Sequence, residues 1–184
     1  MLEVAGDESL PVSAARAGEP AAWDALFRRF QLPLYAYVFE LVRHEQTSLD
    51  LVQETFINAA RHIRSLQSDA KFAGWLFGIA HQKCIQHWRK RSQPQNFTEE
   101  LSEELPDEAG DPRDWLIRKE RAAEFMEQLG RLPWPHRSVL VLHFLEDFSL
   151  EEIAGITGTE PGTVKSRMHY AKKALRKIIE ENEA

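Results

Sequence analysis

The chain has 184 residues, 43% of them hydrophobic and 28% charged, with a formal net charge of −6. These values fit a folded protein of one domain or two small ones. No apolar run approaches a membrane span, and the opening MLEVAGDESL is acidic where a secretion signal is basic. With Cys84 as the single cysteine there is no internal disulfide, and a reduced, cytoplasmic setting is expected.

The average charge hides segregation. Residues 61–91 carry seven Lys or Arg (61, 64, 71, 83, 89, 90, 91) against one acid, Asp69. Residues 98–114 carry eight acids (99, 100, 103, 104, 107, 108, 111, 114) against Arg113 alone. From 163 to 177 there are six Lys or Arg and no acid. Two basic surfaces thus flank an acidic connector, and local field rather than net charge decides where a polyanion docks.

In chain order, residues 1–20 read as a loose arm or a short first helix. Trp23, Leu26, Phe27 and Phe30 recur at helical spacing, Pro33 is expected to interrupt, and residues 34–42 continue as an apolar helix. Thr47 is expected to open the next helix, with Asp50 at capping-box distance. Its buried stripe is Leu49, Val52, Phe56, Ala59 and Ile63. Asp50, Glu54, Ile57 and Arg61 lie on the reverse side with Gln53 at its margin. An apolar Ile57 among charges points to a partner surface more than to a solvated face.

A polar loop at 65–71, SLQSDAK, leads into FAGWLFGIAHQKCIQHWRKR at 72–91. Aromatics interleaved with cations suit single-stranded nucleic acid, where cations track phosphates and ring faces accept bases. For Phe72, Trp75 and Trp88 a place in the core is the stronger reading. His81, Cys84 and His87 drift around a helix at three-residue steps without a fourth ligand, so no metal or other cofactor is expected. Residues 93–110 contain Pro94, Pro106 and most of the acid cluster, and read as a flexible linker. Asp114 could cap a helix through Leu129, with Leu116, Ala122, Phe125, Met126 and Leu129 apolar. After a hinge at 132–135, a helix over 135–145 should bury Val139 and Leu140, with Leu142 or Phe144.

The last stretch, SLEEIAGITGTEPGTVKSRMHYAKKALRKII at 149–179, reads as two helices around a tight turn. Ser149 and Glu152 have capping-box spacing, and Leu150, Ile153 and Ala154 form the first helix's apolar side. Gly158 can take the positive φ that ends it, and Pro161 fits the first turn of the next. In the second helix Val164, Met168, Ala171, Leu175 and Ile178 share a face opposite Lys165, Ser166, His169, Lys172, Lys173 and Arg176. A basic helix behind a short turn is what a major-groove reader needs, although basic helices alone are usually solvated surface. No segment alternates like a strand for long. The fold class is therefore all-α: two small helical domains joined by a flexible acidic linker, the second containing a helix-turn-helix. The expected divisions are 1–20, 21–92, 93–112 and 113–184.

Three stretches together resemble an RNA polymerase sigma factor of the extracytoplasmic-function type. DLVQETF at 50–56 is similar to the family's polymerase-docking segment, 72–91 to its promoter-melting and minus-ten segment, and 132–178 to the domain that reads the minus-thirty-five element. The resemblance implies that Asp50, Gln53, Glu54 and Ile57 meet the polymerase. Ser65, Lys71, Trp75, Gln82, Lys83, Arg89, Lys90 and Arg91 would serve the minus-ten DNA, with the 65–71 loop holding an extruded base. Lys165, Ser166, His169, Tyr170, Lys172 and Lys173 would face the minus-thirty-five duplex. Gln82 stands where the family often has Asn, and Tyr170 where it often has Arg, departures that bear on promoter sequence. The implied partners are core polymerase (clamp and flap), promoter DNA both duplex and single-stranded, and an anti-sigma protein. The chain would catalyse nothing and would insert into no membrane. The competing reading, a stand-alone helix-turn-helix regulator of duplex DNA, has no need of DLVQETF or the aromatic-basic segment.

Overall fold

A computed structural model describes residues 10–91 and 122–183. The linker expected at 93–112, Leu116 and the helix start expected at Asp114 lie outside the described residues. All the regular elements described are helical.

Helix α1, Val12–Ala17, forms within the stretch read as a loose arm or a short first helix, of which residues 1–9 lie outside the described residues. Gly18 ends it at φ 91°, a conformation costly for any residue with a Cβ. Helix α2 runs Pro20–Val42 with Pro20 at its start. Pro33 does not interrupt it, contrary to expectation. A proline inside a helix costs about 3 kcal/mol through a lost hydrogen bond and a ring clash. Here the carbonyl that loses its donor belongs to Arg29, an exposed residue, and burial of Leu26, Phe30, Leu34, Tyr37, Val38 and Leu41 offsets the cost.

Helix α3 spans Glu45–His62, its cap three residues earlier than expected. His44, not Thr47, caps it: its Nδ1 accepts the Thr47 backbone N–H at 3.2 Å. The buried stripe is Ser48, Leu51, Val52, Thr55, Phe56 and Ala59. Leu49, expected inside, is 48% exposed. Ser48 and Thr55 could be read as surface from their hydroxyls, but each donates to the carbonyl four residues back, to His44 and Leu51. That leaves them small and internally satisfied on the packing face. Two 3-10 turns, Ile63–Ser65 and Asp69–Lys71, then lead into α4, Phe72–Arg91. Phe72, Leu76, Phe77, Ala80 and Cys84 are buried, while Trp75 and Trp88 are half-buried, in keeping with the core reading. His81 is buried with its Nδ1 2.6 Å from the Tyr37 hydroxyl, and burial pushes the Cys84 thiol up to about 12.

In the second half α5 is described over Ala122–Gly130, followed by α6 at Trp134–Phe144, α7 at Leu150–Thr157 and α8 at Pro161–Glu183. The Ser149–Glu152 capping box forms, with Glu152 N–H to Ser149 Oγ at 3.3 Å and Ser149 N–H to Glu152 Oε2 at 2.9 Å. Gly158 closes α7 at φ 66°. Val139, Leu140, Val141 and Leu142 are buried, and so are Val164, Met168, Ala171 and Leu175. Phe144 and Ile178 are half-buried.

Helices α2, α3 and α4 pack together with α1 against α2; α6, α7 and α8 form the second unit, with α5 against α8. The two units meet along a seam, α4 against α7 and α2 against α6. Gly74 and Gly78 face Ile156 of α7; a Cβ on Gly78 would lie 3.8 Å from the Ile156 carbonyl oxygen, ordinary contact with no room beyond it. Phe77 meets Phe148 edge-on at 5.1 Å, and His81 lies 5.8 Å from the Trp134 ring. Polar links run beside these rings. The buried Arg137 guanidinium donates to the carbonyls of Glu40 and, at 2.8 Å, Leu132. Arg43, held in the left-handed region at φ 53°, donates to the Met126 carbonyl at 2.8 Å and pairs with the buried Glu40 carboxylate.

Two predictions follow from the seam. Gly78→Ala should be neutral or stabilising by up to about 1 kcal/mol, since it adds only a contact and removes a poor helix former. Gly78→Phe should force α7 away, raising the radius of gyration in small-angle scattering; an unchanged radius would mean α7 does not depend on that gap.

The second concerns pH. Burial lowers His81 to about 4, helped by the charge of Arg167, and burial together with Asp147 raises Glu146 to about 7. Between roughly pH 4 and 6.5 unfolded His81 binds more protons than folded, so its contribution to stability rises with pH. His136, lowered by burial, acts the same way. Between roughly pH 4.5 and 7 folded Glu146 keeps a proton that the unfolded chain releases, so its contribution falls with pH. The two offset each other. Glu146→Gln should uncover the rise, on the order of 2–3 kcal/mol across that window by denaturant unfolding; a pH profile parallel to the parent's would contradict it.

Candidate nucleic-acid interface

Asp50, Gln53, Glu54 and Ile57 are all exposed on the outer face of α3, Ile57 to 45%. They form one patch because positions three and four apart share a helix face. Phe27 of α2, 41% exposed and 4.9 Å from the Phe56 ring, adds apolar surface from α2. The exposed edge of Phe27 was not legible from spacing, which put it with Trp23, Leu26 and Phe30 in the core.

The minus-ten candidates divide into groups. Ser65 and Lys71 are exposed at the two ends of the loop, where Ser65 Oγ donates to the His62 carbonyl at 2.8 Å. Gln82 and Lys83 lie with Trp75 along a cleft of about 390 Å³ between α3, α4 and α7, whose far wall is Gly155 and Ile156. Lys83 and Glu54, which the sequence assigned to different partners, are joined at 2.8 Å. Trp75 packs 6.0 Å from the Phe72 ring and presents only part of its surface. Arg89 and Lys90 are exposed at the C-terminal end of α4, and Arg91 is its last residue. Asn58 and Gln86 line the same cleft and were missed. The signal was available: Asn58 adjoins Ile57, and Gln86 follows Gln82 by four.

On α8, Lys165, Ser166 and Lys173 are exposed, while His169, Tyr170 and Lys172 are half-buried. Ser166 Oγ donates to the Gly162 carbonyl at 3.1 Å, and the His169 and Tyr170 rings meet nearly at right angles, 5.6 Å apart. Lys172 is less free than its place on the polar face suggested, because its ammonium sits 5.5 Å over the Phe144 ring. Near the start of α8, Lys165 and Ser166 stand clear of the body, as a groove-reading helix requires. Among the described residues no group of His, Cys, Asp and Glu could hold a metal, and no helix is long and apolar enough to cross a membrane.

Comparison with known proteins bears on these surfaces. Residues 26–93 match the model of Sigma-70 region 2, and residues 122–175 that of Sigma-70, region 4. The ECF RNA polymerase sigma factor SigL of Mycobacterium tuberculosis is 33% identical over 178 residues, covering 92% of this chain and 96% of the relative. RNA polymerase sigma factor YlaC of Bacillus subtilis is 32% identical over 154 residues, 83% of this chain and 88% of the relative. Among solved structures, CnrH in complex with the cytosolic domain of CnrY shares the fold with a TM-score of 0.68 at 24% identity, over 92% of this chain and 95% of that one. The sigma factor RpoE in complex with the anti-sigma factor NepR from Bartonella quintana gives 0.60 at 23%, over 84% and 96%. A stand-alone regulator accounts for neither region 2 nor these relatives. The chain belongs to the extracytoplasmic-function RNA polymerase sigma factors, initiation factors that direct core polymerase to specific promoters.

Proposed function

We propose that this sigma factor divides its work among three surfaces. The outer face of α3, carrying Asp50, Gln53, Glu54 and Ile57, docks on the polymerase clamp. The 65–71 loop and the Gln82–Lys83 side of α4, continued by Arg89, Lys90 and Arg91, hold the opened minus-ten strand. The first turns of α8, led by Lys165 and Ser166 with His169 and Tyr170 behind, enter the minus-thirty-five groove, and Lys172 and Lys173 support them from the phosphate side. The observation that supports this reading is that exposed acids, Asp50 and Glu54, lie on α3 while exposed cations lie at the end of α4 (Arg89, Lys90) and on α8 (Lys165, Lys173), the Glu54–Lys83 ion pair marking where the α3 and α4 surfaces adjoin. Opposite charge is needed to meet a basic protein surface on one side and a polyanion on the other.

The chain's part in initiation is binding and positioning, with no covalent step of its own, and its place is the cytoplasm. The acidic segment at 93–112 acts as the connector between the two DNA-facing units. An anti-sigma protein is a further proposed partner, in keeping with the solved complex of a protein that shares this fold.

Two experiments test the assignments. Charge reversal of Asp50 and Glu54 together should lower affinity for core polymerase by at least about tenfold while circular dichroism stays that of the parent. Because Glu54 also holds Lys83, the swapped pair Glu54→Lys with Lys83→Glu is the control. It should remain weak if polymerase reads the carboxylate and recover if only the internal ion pair matters. Normal affinity in the Asp50 and Glu54 double variant would remove the assignment.

On α8, Lys165→Ala should weaken binding to minus-thirty-five-dependent promoters more than Lys172→Ala. If Lys172 touches phosphate alone, its loss should weaken all promoters about equally and lower the salt slope by roughly one unit. Equal and negligible effects of both substitutions at moderate salt would contradict the placement of α8 in the groove.

A further inference from the structure

Helix α1 contributes two side chains to the loop at 65–71. Ser13 Oγ donates to Asp69 Oδ2 at 2.5 Å, and an Arg16 guanidinium nitrogen donates to Asp69 Oδ1 at 2.6 Å. The same nitrogen reaches the Leu66 carbonyl at 3.3 Å. Both carboxylate oxygens of Asp69 are therefore engaged from one helix, and a second point of the loop is held by the same arginine. These hydrogen bonds keep the Asp69 carboxyl below its ordinary range, that of Ser13 first and that of Arg16 next.

The helix that reaches over is itself fixed. Val12 and Ala15 are buried, and Trp23 of α2 donates its indole N–H to the Ala15 carbonyl at 3.0 Å. The loop's own bonds are short-range by comparison: Leu66 N–H to the Ile63 carbonyl, Lys71 N–H to Ser68, Ser65 Oγ to His62. Such bonds shape single turns and leave the path between them open. Asp69 also opens the 3-10 turn that leads directly into α4, so a shift at Asp69 moves both the loop and the start of the helix.

We propose that Ser13 and Arg16 are positioning residues for minus-ten recognition, fixing the 65–71 loop through Asp69 and the Leu66 carbonyl and so setting how sharply promoters are discriminated. This rests on the reading that the loop holds an extruded minus-ten base. Arg16 and Asp69 have side chains 33% and 38% exposed, and a pair so open to water adds little to global stability. Its effect is local: a loop free to sample several paths accepts several bases, whereas a pinned one accepts few.

The test uses the full chain reconstituted with core polymerase on a promoter library randomised at the minus-ten element, read by sequencing the transcripts. Arg16→Ala and Asp69→Asn should each flatten the preference at one or more minus-ten positions, about threefold to tenfold, as expected for loss of a charge-assisted hydrogen bond. The double variant should be less flat than the two single effects added together, because both remove the Arg16–Asp69 link, while Arg16 alone holds the Leu66 carbonyl and Asp69 alone meets Ser13. Arg16→Lys, which keeps the charge but not the fork, should fall between. Core affinity should not move. Should the α1 variants fold poorly by circular dichroism, Asp69→Asn carries the test, since it leaves α1 untouched. A profile superimposable on the parent's, or an equal loss at every promoter with the profile intact, would overturn the proposal. Ser65→Ala and Lys71→Ala separate it from the reading beneath it. If they too leave the profile unchanged, the loop does not read the base and both ideas fail; if they alter it and Arg16→Ala does not, only the positioning role of Ser13 and Arg16 is wrong.

Discussion

The arrangement depends on α4 being packed from two sides at once. Phe72, Leu76, Phe77, Ala80 and Cys84 are buried, and α4 packs against α2, α3 and α7. A helix pinned on several flanks cannot show a clean apolar stripe, and its sequence, FAGWLFGIAHQKCIQHWRKR, shows none. The strip left to solvent is Gln82, Gln86, Arg89 and Lys90, the edge proposed to meet nucleic acid. Burying the aromatics therefore also sorts the cations. Each large side chain taken into the core stabilises by about 1.5–3 kcal/mol, and this holds α4 rigid enough to present a defined edge.

Most helices were legible because their signals are local. The capping box at Ser149, the turn at Gly158 and the stripe from Val164 to Leu175 each need only residues within one or two turns, and all form as the spacing implies. What was not legible depended on partners distant in sequence. Leu49 fits an apolar period yet is exposed, because the phase of α3 is set by its packing on α2 and α4 and by a cap at His44. Pro33 reads as a breaker, but the cost of one missing bond is less than the gain from a continuous buried face. Ile156 has no place in the apolar side expected for its helix, Leu150, Ile153 and Ala154, yet it is buried, because α4 offers Gly74 and Gly78 opposite it.

The candidate surfaces show the same limit. Residue type and charge picked out the exposed patch on α3 and the start of α8, since solvated charges follow helix faces that the sequence displays directly. Lys172 and Lys83 escaped that logic. Each has found a partner within the fold, Phe144 for one and Glu54 for the other, from an element far along the chain. Glu54 and Lys83 also tie the α3 and α4 surfaces together. A partly exposed ion pair of this kind is weak and easily exchanged, so on the proposed assignments polymerase and DNA would each take one member without a large energetic loss.

The seam between the two units has a composition suited to parting. Its contacts are mixed: two glycines face Ile156, Phe77 meets Phe148 and His81 lies beside Trp134, and next to these the guanidinium groups of Arg43 and Arg137 donate to carbonyl oxygens. Carbonyls at helix ends and guanidinium groups are both well served by water once exposed, so separation replaces these bonds more cheaply than it would replace buried aromatic area. The geometry gives separation a consequence. Gln82 and Lys83 line one side of a cleft whose other side is Gly155 and Ile156, so α7 stands opposite the edge of α4 proposed to hold the minus-ten strand. On that assignment, packing of α7 on α4 and occupation of that edge by DNA would compete for the same surface. A partner that drew the second unit away would then lower the cost of loading the strand by the free energy of the seam.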